Sequence, residues 1–342
     1  MCLRCYTYVD TLRRYTLLET VSSINAIERN IPFHELGVQT EGLLTARECM
    51  EKAGLNWQVE LMPCYAQLPN GSFIEVKGNK IPVRTDENIP FKAVGNRYHP
   101  FQNKDAFNFL DNIVDDFGAT YDSAGAFDNG AIVYIMLKLS DDIVIGDDKV
   151  VPYLTLVNSH NGTTSLKAFT TPIRIVCSNT LRLAMQNAVS SFSFKHTQNA
   201  GTKISQARKS LQLGFAYYGE MQEELDKLID VQVKKDEVQK MLDLILPVVE
   251  RTDIEGNVLN EGVVSKQKLA HTKILNNFDN ADSPSTVGNA WGLLNAVNSW
   301  ELWEKEMRNT DRAERQAKGM IQNRVHPVSD KAFDYIKREL LV

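Results

Sequence analysis

The sequence predicts an α+β chain. A mostly antiparallel sheet is built from hairpins with a long helix packed on it, and a helical C-terminal region follows. Two observations carry this. Asn70-Gly71, Asn129-Gly130 and Asn161-Gly162 each separate segments of alternating apolar and polar residues, and Asn-Gly at such a place is a strong hairpin signal because both residues tolerate positive φ. After residue 200 the apolar spacing changes to the helical period, as in Ala207, Leu211, Phe215, Tyr218, Leu225 and Leu228. Strands grouped before helices indicate segregation of the two kinds of structure. The organisation read from this is an irregular extension over 1–30, an α+β sheet region over 31–200 and a helical region over 201–342.

The elements follow in order. Residues 33–38 read as a turn-like start, and Thr45 opens a short helix that Gly54 ends. Trp57 to Tyr65 alternates as a strand, and the Asn70-Gly71 turn sends it back through SFIEVKG and IPVRT. Phe91 to Tyr98 reads as a further strand. Asn103 is placed to cap a helix running to Phe117, with Ala106, Leu110, Ile113 and Val114 on one face. Two strands meet at Asn129-Gly130. A loop with Asp141, Asp142, Asp147 and Asp148 follows; it reads as a solvated hairpin end, with Mg²⁺ or Ca²⁺ ligation as the other use of four carboxylates. A third hairpin surrounds Asn161-Gly162. Pro172 makes its second arm an edge or a break. A short helix is expected over TLRLAMQNA, then a strand over SFSFKHT. The later helices include VQKMLDLILPVV, KQKLAHTKIL, the stretch from Val287 to Arg308 and the tail KAFDYIKRELLV, with 251–263 a polar loop. The Trp291, Trp300 and Trp303 set has helical spacing and reads as a packed face.

Composition narrows the function. No stretch approaches the roughly 20 apolar residues that span a bilayer, and Arg4, Asp10, Arg13 and Arg14 leave no signal-peptide pattern at the start. Five irregularly spaced cysteines fit a reducing cytosol, so a cytoplasmic protein is expected. Cys2 and Cys5 form one CxxC without a second pair at zinc-finger spacing. Phosphate-loop, dinucleotide, zinc-protease and serine-hydrolase motifs are lacking. No cofactor or metal is implied.

One stretch departs from the average. The chain is acidic, with 43 Asp and Glu against 38 Lys and Arg. Yet the run from Lys149 to Gly219 has no acidic residue, where an even scatter would place roughly nine. Lys167, Arg174, Lys195, Lys203, Arg208 and Lys209 lie within it, and Tyr217 and Tyr218 close it. Cations interleaved with rings suit single-stranded nucleic acid, in which phosphates follow the charges and bases stack. Core strands are also poor in acids, so an anion-binding surface and a plain core both fit. Cys177, at a strand end before a helix, with His160 or His196 as base, would instead suit a cysteine hydrolase. A buried structural thiol is the other reading of that cysteine.

Residues 159–184, SHNGTTSLKAFTTPIRIVCSNTLRLA, resemble the signature of the phage/plasmid-like protein family catalogued as domain of unknown function 932. GLNWQVELMPCY (54–65), GNRYHPFQNKDAF (95–107) and AWGLLNAV (290–297) agree with it in order. The family usually begins near Trp-His-Gly-Leu-Gly, where this chain has Phe33-His34-Glu35-Leu36-Gly37. The resemblance implies a mobile-element protein and carries no catalytic residues over. Its element order is similar to that of phage single-strand annealing proteins of the Redβ and Erf type, an analogy of fold. The function expected is nucleotide-independent binding of single-stranded DNA by a homo-oligomer, in annealing or protection. A protein-interaction factor that counters host defence is the third alternative.

Overall fold

The structure is a computed structural model. It describes residues 36–40, 42, 45–108, 110–140, 142–174, 191–195, 222–306, 311–322 and 327–341. Cys2, Cys5, Asp141, Cys177, Arg182, His196, Lys203, Arg208, Lys209, Tyr217 and Tyr218 lie outside these, as does the helix expected over TLRLAMQNA.

The fold is α+β, and every strand pairing among the described residues is antiparallel. Strand β1 (Gly37–Gln39) joins a large sheet, so the turn-like start expected there is an edge strand. Helix α1 (Ala46–Lys52) follows, capped at Thr45, whose side chain accepts from Glu48 N while Glu48 answers at Thr45 N. β2 (Val59–Gln67), β3 (Phe73–Arg84), β4 (Ile89–Pro90) and β5 (Val94–Gly95) make a separate small sheet. There are thus two sheets where the sequence suggested one. The strand expected over Phe91–Tyr98 is reduced to β5, whose Val94 and Gly95 pair with Lys80 and Asn79 of β3.

The helix expected from Asn103 to Phe117 is two, α2 (Asn103–Phe107) and α3 (Leu110–Phe117). Asn103 does not cap it. Its side chain is buried and donates to Leu55 O at 3.0 Å, and Gln102 occupies the cap position. β6 (Thr120–Phe127), β7 (Ile132–Lys138), β8 (Ile143–Ile145), β9 (Asp148–Ser159), β10 (Leu166–Arg174) and β11 (Ser191–Phe194) complete the large sheet, in the order β1-β6-β7-β9-β10-β11 with β8 on β9.

All three Asn-Gly pairs lie in turns between antiparallel strands. Gly71, Gly130 and Gly162 have φ of 86°, 99° and 68°. At Gly130 the want of a side chain also matters sterically, since a Cβ would stand 2.9 Å from the Trp57 ring. Pro172 pairs with Pro152, beyond the last β11 partner at Phe169, so among the described residues it sits where β10 has a neighbour on one side only.

The period of two divides the large sheet. Val133, Ile135, Leu137, Leu154, Leu156, Leu166 and Ala168 face a core shared with Met50, Phe107, Leu110 and Ile113 of α1 to α3. Ile132, Tyr134, Met136, Val157 and Phe169 face the other way, onto Ala317 and Ile321. Those two belong to a helix for which the sequence pattern offers no element. In chain order the later helices are α4 (Lys235–Ile245), α5 (Glu261–Asp279), α6 (Ala290–Ser299), α7 (Arg312–Gln322) and α8 (Pro327–Tyr335). A third core surrounds Trp291, with Met241, Ile274, Leu294, Val297 and Phe333, and it takes in Ile143, Ile145 and Val150 from the sheet.

The loop expected to be solvated is so in part: Asp147 is exposed and Asp142 half-buried, whereas Asp148 is not solvated. Asp148 is fully buried and accepts from Trp291 Nε1 at 2.7 Å. Asp147 accepts from Ser285 N at 2.9 Å, and Asp142 pairs with Lys149. Asp147 and Asp148 clasp the sheet to the helical region, while the Asp142–Lys149 pair stays within the sheet. The carboxylates form no metal-holding group among the described residues.

Candidate nucleic-acid interface

The acid-free stretch supplies β9, β10 and β11 and then leaves the described residues. Ser193 and Lys195 fall on one face of β11, whereas Phe192 and Phe194 pair with Ala168 and Leu166. Ser193 and Lys195 are exposed. Among the described residues β11 is the last strand of the sheet, so Lys195 stands just beyond the end of an edge there.

Lys167 does not belong to this surface. It is buried, its Nζ donates to Ile321 O at 3.0 Å, and it lies over the Phe169 ring at 5.1 Å. Ile321 is in the last turn of α7, so the ammonium meets the negative end of that helix. The sequence offers no warning, because a lysine between apolar strand residues reads as one on the solvent face. Arg174 ends β10 opposite Val150. The structure therefore does not bring Lys167 and Lys195 into one anion-binding patch, although the register puts them on the same face.

His160 is the described half of the pair that a cysteine hydrolase would need. It is fully buried. Its ring stacks on Phe91 at 6.1 Å and meets the Trp57 edge at 5.1 Å. Its Nε2 lies 2.9 Å from Asn103 Oδ1, whose own amide donates to the Leu55 carbonyl, so the ring nitrogen is committed as a donor inside the core. A base needs a nitrogen within reach of its proton source and of substrate; this one tethers the end of β9 to the first turn of α2.

Cys49 is the described thiol farthest from reactivity. Burial pushes it up to about 11. At neutral pH it stays protonated and inaccessible, so iodoacetamide labelling of the native protein, read by peptide mass mapping, is expected to modify the half-buried Cys64 well before Cys49.

The structure adds a feature that in sequence is an ordinary hairpin. β2 and β3 form a long ribbon, paired from Val59↔Arg84 out to Gln67↔Phe73. Its base is fixed. Arg84 lies over Trp57 at 4.8 Å and donates to Asn129 O at 3.4 Å, while the Gln102 amide pairs with both backbone groups of Val59 at 3.0 and 2.9 Å. Its outer half is exposed on both faces, with Phe73 at 68%, Tyr65 at 56% and Ile74 at 53%. Alternation alone does not reveal this, because it shows which residues share a face and not whether anything covers it.

A family model described as "Domain of unknown function (DUF932)" matches residues 90–320. No curated protein matches, and no solved structure does. Among the described residues, no helix is long and apolar enough to cross a membrane.

Proposed function

The chain belongs to the DUF932 family, and from that premise we propose that it binds single-stranded DNA, without nucleotide or metal, as a protein of a mobile element that protects or anneals exposed strands. The observation that carries the reading is the acid-free run from Lys149 to Gly219 in a chain of net charge −5. A local basic surface on an acidic protein receives polyanions on one face and repels them elsewhere. Lys195, Lys203, Arg208 and Lys209 are its phosphate contacts, and Tyr217 and Tyr218 its stacking rings. Lys167 is left out, because its ammonium is engaged by α7.

Fluorescence anisotropy with single- and double-stranded oligonucleotides across a salt series tests this. Binding is expected to be largely independent of sequence and to favour the single strand. Replacing the four cations by alanine should flatten the slope of log K against log[salt] by about 0.7 for each phosphate no longer neutralised. Tyr217→Ala or Tyr218→Ala should each cost ~1–3 kcal/mol where a base stacks. Salt-insensitive binding, or none to any oligonucleotide, defeats the proposal.

A further inference from the structure

The fold brings a second acid-free segment against the first. Asn88 to Lys104 contains Lys92, Arg97, His99 and Lys104 and no Asp or Glu. Its middle is held on the β9–β10 turn, which belongs to the run from Lys149 to Gly219. Tyr98 Oη donates to Ser159 O at 2.9 Å, and the Phe91 ring stacks on His160. A Cβ on Gly162 would stand 3.1 Å from Val94 Cγ1. On the other side of the turn lies β11. Leu166 pairs with Phe194, and the Ser165 hydroxyl is hydrogen-bonded to that of Ser193. Lys195 therefore comes next to the same turn.

The turn between them keeps its shape by itself. Asn161 Oδ1 accepts from Thr163 N at 3.0 Å, from Thr163 Oγ1 at 2.5 Å and from Ser159 Oγ at 2.9 Å. An Asn side chain bonded to the backbone two residues on sets a turn locally. Gly162 and Thr163 are exposed, as are Lys92, Arg97 and Lys195. The carboxylates bordering this rim are engaged. Asp86 and Glu87 pair with Arg84, and Asp128, in the neighbouring β6–β7 turn, pairs with Lys318. Cations thus stand on both sides of an uncharged rim, an arrangement that favours a polyanion.

The geometry also selects the kind of polyanion. The segment around Phe91 lies by His160, on the side of the sheet that meets α2. Lys195 falls on the face of Lys167, the side that meets α7. A chain reaching both must bend over the rim. A duplex is stiff over about 50 nm, whereas a single strand bends freely.

We propose, on the reading of this chain as a single-strand binder, that the strand crosses the β9–β10 turn, with Lys92 and Arg97 on its phosphates at one side and Lys195 at the other. The interface then extends beyond the Lys149–Gly219 run to residues flanking β5.

Fluorescence anisotropy with a single-stranded oligothymidylate across a salt series tests it. Lys92→Ala with Arg97→Ala should weaken binding roughly 20-fold at about 0.1 M salt. The slope of log K against log[salt] should fall by about 1.4, for two phosphates at about 0.7 each. The thermal melt should not change, because both side chains are exposed. Lys104→Ala is the control. Lys104 belongs to the same segment but lines a separate hollow with Arg47 and Glu51 of α1, so its loss should leave the slope as it was. In the wild type, amide hydrogen exchange in 92–98 and 159–165 should slow when the oligothymidylate is added. A double variant that melts like the wild type and keeps its affinity and slope overturns the crossing alone. So does exchange that the oligonucleotide leaves unchanged in both segments, a measurement that decides even where the double variant fails to fold. A wild type that binds no oligonucleotide defeats the crossing together with the functional reading.

Discussion

Gly292→Ala is expected to destabilise the protein by about 3 kcal/mol, at the upper end of what overpacking a core position costs. α6 follows the short turn Pro284–Thr286 after three residues, the last of which, Asn289, caps it by accepting from Gly292 N at 2.9 Å. A Cβ on Gly292 would stand 1.8 Å from Thr286 O and 2.8 Å from Thr286 C. These are backbone atoms, so no rotamer change relieves them. The turn must move, and with it Ser285, which holds Asp147. The melting temperature should fall by roughly 4 °C if sheet and helices unfold together. Gly262→Ala is the control. It lies in the first turn of α5 with nothing within 4 Å of its Cβ position, and should be neutral or stabilise by about 0.4–1 kcal/mol. Equal effects at the two glycines would refute the packing described for α6.

Asp148→Ala is expected to cost about 3 kcal/mol. The mutation leaves the Trp291 indole N–H without this acceptor in a site where both residues are fully buried. A hydrogen bond to a charged group contributes about 1.5–3 kcal/mol, and an orphaned buried donor adds its own penalty. Trp291→Phe tests the same pair from the other side. A double-mutant cycle over the two should return a coupling of about 1.5–3 kcal/mol by urea denaturation. Additivity within ~0.5 kcal/mol would mean the two side chains do not support each other.

The legible part of the fold is local. Thr45 with Glu48, and the three Asn-Gly turns, declare themselves because capping and positive φ are properties of adjacent residues. Asp148 is not legible. In sequence it is one of four similar aspartates, and its buried hydrogen bond comes from Trp291, 143 positions away. Asn103 misleads for the same reason. It suits a cap, yet the distant His160 and Leu55 claim its amide. Of the interface, Lys195 is exposed, as its place after the last strand suggests. Lys167 misleads because its partner, the end of α7, lies 154 residues on. The exposed ribbon escapes the sequence because a hairpin pattern is the same whether one face is covered or none.

The clasp of Asp147 and Asp148 on Ser285 and Trp291 also sets a schedule for synthesis. The sheet strands are all translated before the first of these helical partners, and the Asp148–Trp291 hydrogen bond spans 143 residues. At about 5–20 residues per second, that interval lasts roughly 7–29 s on the ribosome. Throughout it the core around Ile143, Ile145 and Val150 lacks α6, although α4 and α5, which contribute Met241 and Ile274 to it, are made within the interval. The nascent chain thus presents an apolar strand edge for a long time on the scale of hydrophobic collapse. A chaperone that holds apolar segments should be found on nascent chains longer than about 150 residues and leave once α6 has emerged. Truncations ending before residue 284 should accumulate as aggregates, whereas the full chain stays dispersed.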